Sequence, residues 1–89
     1  MIQVGFNNYV PLDSIRAIGH PSSAPMTRLV SEARNKGLLV DFTAGRKCKG
    51  ILILDSGHVI LSSLSSDTLA KRVREAKTSG QAEPQNAQN

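Results

Sequence analysis

The sequence predicts an α+β domain: a small, largely antiparallel sheet in the order ββα-βββα with two short amphipathic helices and a disordered C-terminal tail. Three features carry that expectation. Short runs of strand-favouring residues recur along the chain. Two stretches of helical period, each opened by serines, interrupt them. Residues 78–89 are rich in Gln and Asn and poor in apolar side chains, so they bury too little surface to offset the entropy of ordering. The domain is therefore assigned to residues 1–77 and the tail to 78–89.

Ile2, Val4 and Phe6 alternate with Gln3 and Gly5, the period of a half-buried strand, and Asn7-Asn8 tolerates the left-handed backbone of a tight turn. Tyr9, Val10 and the segment Ser14 to Ile18 supply a second strand, with Pro11 marking an edge or bulge and His20-Pro21 its end. Ser22-Ser23-Ala24-Pro25 starts a helix: a serine oxygen can accept from free amides, and Pro25 falls in the first turn, where its missing N–H costs nothing. Met26, Leu29, Val30 and Ala33 then share one inward side, while Arg28, Glu32, Asn35 and Lys36 lie opposite or beside it. Gly37 stands where a left-handed residue stops a helix.

Leu38 to Thr43 and Ile51 to Leu54 are the next two strands, Asp55-Ser56-Gly57-His58 is a hairpin turn, and Val59 to Leu64 is the last strand. Ser65-Ser66-Asp67 opens the second helix. Its inward stripe is Leu69, Ala70, Val73 and Ala76, with Lys71, Arg72 and Arg74 towards or beyond the margins.

Between the strands at 38–43 and 51–54 runs Gly45-Arg46-Lys47-Cys48-Lys49-Gly50, which is expected to form the tip of a β-hairpin. Its three cations cannot be buried without partners, so they project into solvent from a rigid base. Such a tip suits a polyanion. With no aromatic residue beside the run, stacking of unpaired bases has little support.

The chain of 89 residues has a formal net charge of +4, which favours nucleic acid or another anionic surface over an acidic substrate. The cations are unevenly spread: Arg16, Arg46, Lys47 and Lys49 lie in the strand-rich half, and Lys71, Arg72, Arg74 and Lys77 crowd the second helix. A core this small, without Trp and with one Tyr and two Phe, leaves self-association as the remaining source of stability. The single cysteine excludes an internal disulfide and an all-Cys metal site. No secretory leader and no apolar run of membrane-spanning length is evident, so a soluble cytoplasmic protein with no membrane partner is expected.

Catalytic chemistry finds no footing. Gly45 to Gly50 has the glycine spacing of a phosphate loop, but Ile51 and Leu52 stand where that loop needs Lys and then Ser or Thr. Cys48 lies among cations, the setting of a reactive thiol, yet a small inward-facing side chain is the stronger reading. His20 and His58 lack the close spacing of a metal pair and read as turn residues. Ser62, Ser63, Ser65 and Ser66 form no nucleophile elbow. Asp41 faces away from Val40 and Phe42, and a structural salt bridge or subunit contact suits it better than general-base work. Arg28, Glu32 and Lys36 form a solvated helix face, and Arg34 flanks the apolar stripe, where its stem can cover hydrophobic surface or reach a neighbouring subunit. No catalytic residue, metal, cofactor or small-molecule substrate is expected, and the protein is not expected to be an enzyme.

Val4-Gly5-Phe6 followed by Asn8, the segment Ser22 to Gly37, the run Leu38 to Arg46 and the run Asp55 to Ser63 together resemble the RemA family of bacterial extracellular-matrix regulatory proteins. The resemblance covers nearly all of the ordered chain in several separated motifs. It implies a bacterial DNA-binding protein that assembles into rings, regulates transcription of matrix genes and holds the DNA backbone with surface arginines. The family's Gly-Arg-Arg pattern maps onto Gly45-Arg46-Lys47. Lys47 departs from it: lysine neutralises a phosphate but lacks the planar fork that grips two oxygens. A further basic residue of the family aligns with Ser14, and Arg16, two residues on and on the same strand face, is its candidate substitute.

The expected protomer thus contributes Arg46, Lys47, Lys49 and Arg16 to one rim of a ring-shaped homo-oligomer. Weak single-site contacts become useful when several act on one duplex. Arg28, Arg34, Lys71, Arg72 and Arg74 are candidates for a secondary DNA or subunit contact. The competing readings are an RNA-binding protein and a scaffold or adaptor that meets an acidic partner. The expected location is the bacterial cytoplasm, associated with the nucleoid.

Overall fold

A computed structural model describes residues 1–80. Strand β1 (Ile2–Gln3) turns back through Gly5 to Asn8 onto β2 (Tyr9–Val10), pairing Ile2 with Val10 and Gln3 with Tyr9 in a two-stranded antiparallel ribbon. A 3-10 turn over Leu12–Ser14 leads into β3 (Ile15–Gly19), which joins a different sheet. The segment expected as one second strand is therefore divided, and the order is βββα-βββα. Pro11 supplies no N–H to a ladder, so the chain turns there and changes layer.

Helix α1 (Ala24–Lys36) is followed by β4 (Leu39–Asp41), β5 (Gly50–Leu54), β6 (Val59–Ser62) and α2 (Ser66–Glu75). The second sheet has the order β3-β5-β6-β4. Its β3–β5 and β5–β6 pairs are antiparallel, while β4 lies parallel to β6. The α+β class with a mostly antiparallel sheet holds. The expected hairpin between β4 and β5 does not, because β6 lies between them. Residues 42–49 are too many for a tight hairpin turn and long enough to step over one strand, roughly 10 Å across. The β5–β6 hairpin forms at Asp55 to His58 as expected, closed by the Leu54 N–H donating to the His58 carbonyl at 3.0 Å.

Both faces of this sheet are covered, which explains why its two central strands read as unbroken apolar runs at 51–54 and 59–61. On one face Ile51 and Val59 meet Ala33 of α1, with Met26, Val30, Ile53 and Leu61 packed around them. On the other, Leu52 and Ile60 meet Leu69 of α2 together with Ile2, Val4, Val10 and Leu12 of the N-terminal segment. Leu52 and Leu69 are fully buried, each worth about 1.5–3 kcal/mol relative to exposure.

Gly37 ends α1 in the left-handed conformation at φ 74°, as its position predicts. Ser23 occupies the N-cap but makes no side-chain capping bond, and Leu29, expected inward, is exposed. The second helix follows its capping expectation: the Ser65 hydroxyl accepts from the Thr68 N–H at 3.1 Å. Ala70, also expected inward, is exposed, since only Leu69 of that pair faces the sheet. A π-helical turn over Ala76–Gly80 prolongs α2, and the Thr78 hydroxyl donates to the Arg74 carbonyl at 3.1 Å. Helical backbone thus continues past the expected boundary at 77; residues 81–89 of the expected tail lie outside the described residues. Among the described residues no helix is long and apolar enough to cross a membrane.

Candidate nucleic-acid interface

The crossover from β4 to β5 passes the C-terminal end of β6 and is pinned there by its own backbone. The Phe42 N–H donates to the Leu61 carbonyl at 2.9 Å, and the Lys49 N–H to the Ser62 carbonyl at 2.8 Å. Within the loop Asp41 Oδ1 accepts from both the Thr43 N–H (2.8 Å) and the Thr43 hydroxyl (2.6 Å), and the Thr43 carbonyl accepts from the Arg46 N–H at 3.0 Å. These bonds, the hydroxyl's first, hold the Asp41 carboxyl below its ordinary pKa of 3.8, against a small opposing effect of burial. Asp41 therefore shapes its own loop through Thr43.

Ala44 (φ 54°) and Gly45 (φ 80°) then take left-handed backbone in succession and bend the loop, leaving Arg46, Lys47 and Lys49 exposed. Cys48 points inward as expected, half-buried against the α1-side core with its Sγ 3.5 Å from the Gly50 carbonyl. The basic run is a buttressed crossover loop, not a hairpin tip.

A second wall comes from the far N-terminus. Phe6 and Asn7 have positive φ (51° and 61°), and the Asn8 N–H donates to the Gly5 carbonyl at 3.0 Å, the arrangement of a type I′ turn. Phe6 was expected to face inward by the alternation of Ile2 and Val4, but it is 45% exposed. A non-glycine residue in this conformation costs about 1–2 kcal/mol. The turn shifts the period by starting one residue earlier than the Asn7-Asn8 pair suggests. Its ring lies under the basic loop, 5.1 Å from its centroid to Arg46 Cζ. An aromatic surface does stand beside the cations, contrary to the sequence reading, because residues 40 positions apart meet here.

Phe6, Arg46, Lys47, Lys49 and Ser63 line one open cleft of about 410 Å³. Three of the four principal candidates are thus gathered. Arg16 is not among them: it sits exposed at the bulge between Ile15 and Ala17, level with Ile53 and Leu54, at the opposite end of β5 from Lys49. Arg28 and Arg34 are exposed on α1, Lys71 and Arg74 on α2. Arg72 is half-buried and donates to the Gln3 carbonyl at 3.0 Å, which ties α2 to β1. His20 and His58 bond to Ser22 and Ser56 in their own turns, and among the described residues no His, Cys, Asp and Glu group could hold a metal.

The family model described as "Extracellular matrix regulatory protein A-like" matches residues 1–73, which contain every residue of this cleft. The chain belongs to the RemA-like family. It is 53% identical over 73 residues to a protein of Synechococcus elongatus, covering 82% of this chain and 84% of that one. It is 45% identical over 85 residues to one of Synechococcus sp. strain JA-3-3Ab, covering 96% of each. A third relative, from Desulfatibacillum aliphaticivorans, is 48% identical over 83 residues, 90% of this chain and 93% of that one. All three carry the name "Putative regulatory protein". The RemA-like assignment expected from the motifs is therefore met, and with it a bacterial regulatory role.

Proposed function

We propose that this RemA-like protein is a non-enzymatic DNA-binding regulator that acts as a ring-shaped homo-oligomer on duplex DNA, with matrix-type genes as its targets. The observation that supports this most is the convergence of Arg46, Lys47 and Lys49 on one open cleft. Their cationic groups are exposed while the loop that carries them is fixed at both ends, the combination that phosphate contacts require. Arg16 is a separate contact farther along the duplex or on an adjoining protomer. Repetition around an oligomer turns a few weak contacts into useful affinity.

Fluorescence anisotropy with random duplex DNA at several salt concentrations, beside a native mass measurement, tests the reading. The expected result is an oligomer that binds all duplex sequences with a steep salt dependence, about −0.9 in log–log slope per neutralised phosphate. A monomer, or no retention of nucleic acid at low salt, overturns it and leaves a scaffold that meets an acidic protein. A second reading draws on Phe6, whose ring offers unpaired bases a stacking surface beside the cations. Tighter binding of single strands than of duplex DNA would favour it.

A further inference from the structure

We infer that Phe6 is a positioning residue for Arg46: its ring supports one face of the guanidinium and leaves the in-plane N–H donors turned to the open cleft. The consequence for DNA rests on the proposed function; the stack itself does not. Arg46 Cζ stands 5.1 Å from the Phe6 centroid, within the range of cation–π attraction. A carboxylate partner would occupy the donors and cancel the charge. A ring face does neither, because a ring carries no hydrogen-bond acceptor of carboxylate strength and no charge, and the guanidinium's donors lie in its own plane.

Folding alone gives no account of Phe6. It sits with positive φ in a turn that suits Gly, Asn or Asp, and its ring is 45% exposed. Strained backbone under an exposed aromatic marks a site where structure serves something other than stability. The turn is nevertheless held firmly. The Val4 N–H donates to the Asn8 carbonyl at 2.8 Å, the Asn8 amide to the Gly5 carbonyl at 3.0 Å, and the buried Ser62 hydroxyl to the Val4 carbonyl at 2.6 Å. A guanidinium resting on a fixed ring loses less rotamer freedom when it meets a phosphate.

The test compares the parent with Phe6→Asn, which suits the turn but has no ring, and Phe6→Tyr, which keeps one. Phe6→Asn is expected to melt at or above the parental temperature, to lose about two- to fivefold in duplex affinity for each engaged protomer, and to keep the parental salt slope because no cation is removed. Phe6→Tyr is expected to bind as the parent does. Parental affinity in Phe6→Asn overturns the inference, as does an equal loss in Phe6→Tyr. If the parent itself fails to bind DNA, the proposed function falls and the stack is decided in the free protein by NMR. The Arg46 δ protons should be displaced upfield by the ring in the parent and released in Phe6→Asn; no displacement in the parent overturns the inference.

Discussion

The Ser62 hydroxyl donates to the Val4 carbonyl at 2.6 Å and joins residues 58 positions apart. The same residue accepts the Lys49 N–H on its carbonyl at 2.8 Å, and its hydroxyl accepts the Leu64 N–H at 3.0 Å. One fully buried serine thus ties the turn that bears Phe6 to the loop that bears Arg46. The two walls of the cleft meet at the end of β6.

Ser62→Ala should destabilise the protein by about 1–3 kcal/mol, since it leaves the buried Val4 carbonyl and the Leu64 N–H without this partner. Urea denaturation measures the loss. Duplex affinity should fall as well, because the turn that bears Phe6 loses its hydrogen bond to β6. Unchanged stability would mean that the N-terminal ribbon is held by packing alone.

Gly50 at the start of β5 and Gly45 in the crossover loop should fail for different reasons. A Cβ on Gly50 would lie 2.5 Å from the Leu64 carbonyl and 2.7 Å from Leu69 Cδ1, so Gly50→Ala should cost about 1–3 kcal/mol by overpacking. Nothing lies within 4 Å of a Cβ on Gly45, whose φ is +80°, so Gly45→Ala should cost about 1 kcal/mol through backbone strain alone. Gly45→Asn, which tolerates that conformation, should recover most of the second loss and offers no remedy at position 50.

Arg46→Ala should weaken binding to every duplex sequence alike, flatten the salt slope by about 0.9 per engaged protomer and leave thermal stability nearly unchanged. Lys47→Arg supplies a forked donor and should tighten binding or leave it level. Dissociation of the oligomer by Arg46→Ala would make the loop an assembly element and move the DNA site to Lys71 and Arg74 on α2.

Asp41 predicts an acid sensitivity confined to the loop. Its carboxyl is held below 3.8 by the Thr43 hydroxyl and N–H, so its stabilising effect is complete above the ordinary pKa and lost as pH falls through the lowered value. Hydrogen exchange corrected for intrinsic rates should show Thr43 and Arg46 amides equally protected near neutrality and less so in strong acid. Asp41→Ala should expose both at every pH. Because the carboxylate is exposed, the effect on global stability should be small.

The features legible in the sequence are those set within a few residues. Gly37 stops α1 because the chain there must turn left-handed, and Ser65 caps α2 because its oxygen reaches the Thr68 amide. The apolar runs at 51–54 and 59–61 announced strands, and the charge on Arg46, Lys47 and Lys49 announced exposure. Tertiary structure decided the rest. Whether β4 lies beside β5 or β6 depends on which strand edge is open and on faces that two helices and a ribbon cover together, and neither is a property of β4's own residues. The cleft likewise has no local signature: Phe6 and Arg46 meet where Ser62, distant from both in the chain, bonds Val4 and Lys49 at once and the N-terminal segment packs into the core. Pattern and propensity act over one turn of helix or a pair of strand positions, whereas a hydrogen bond between buried groups acts wherever the fold brings them within 3 Å, and that distance is fixed only after the layers have packed.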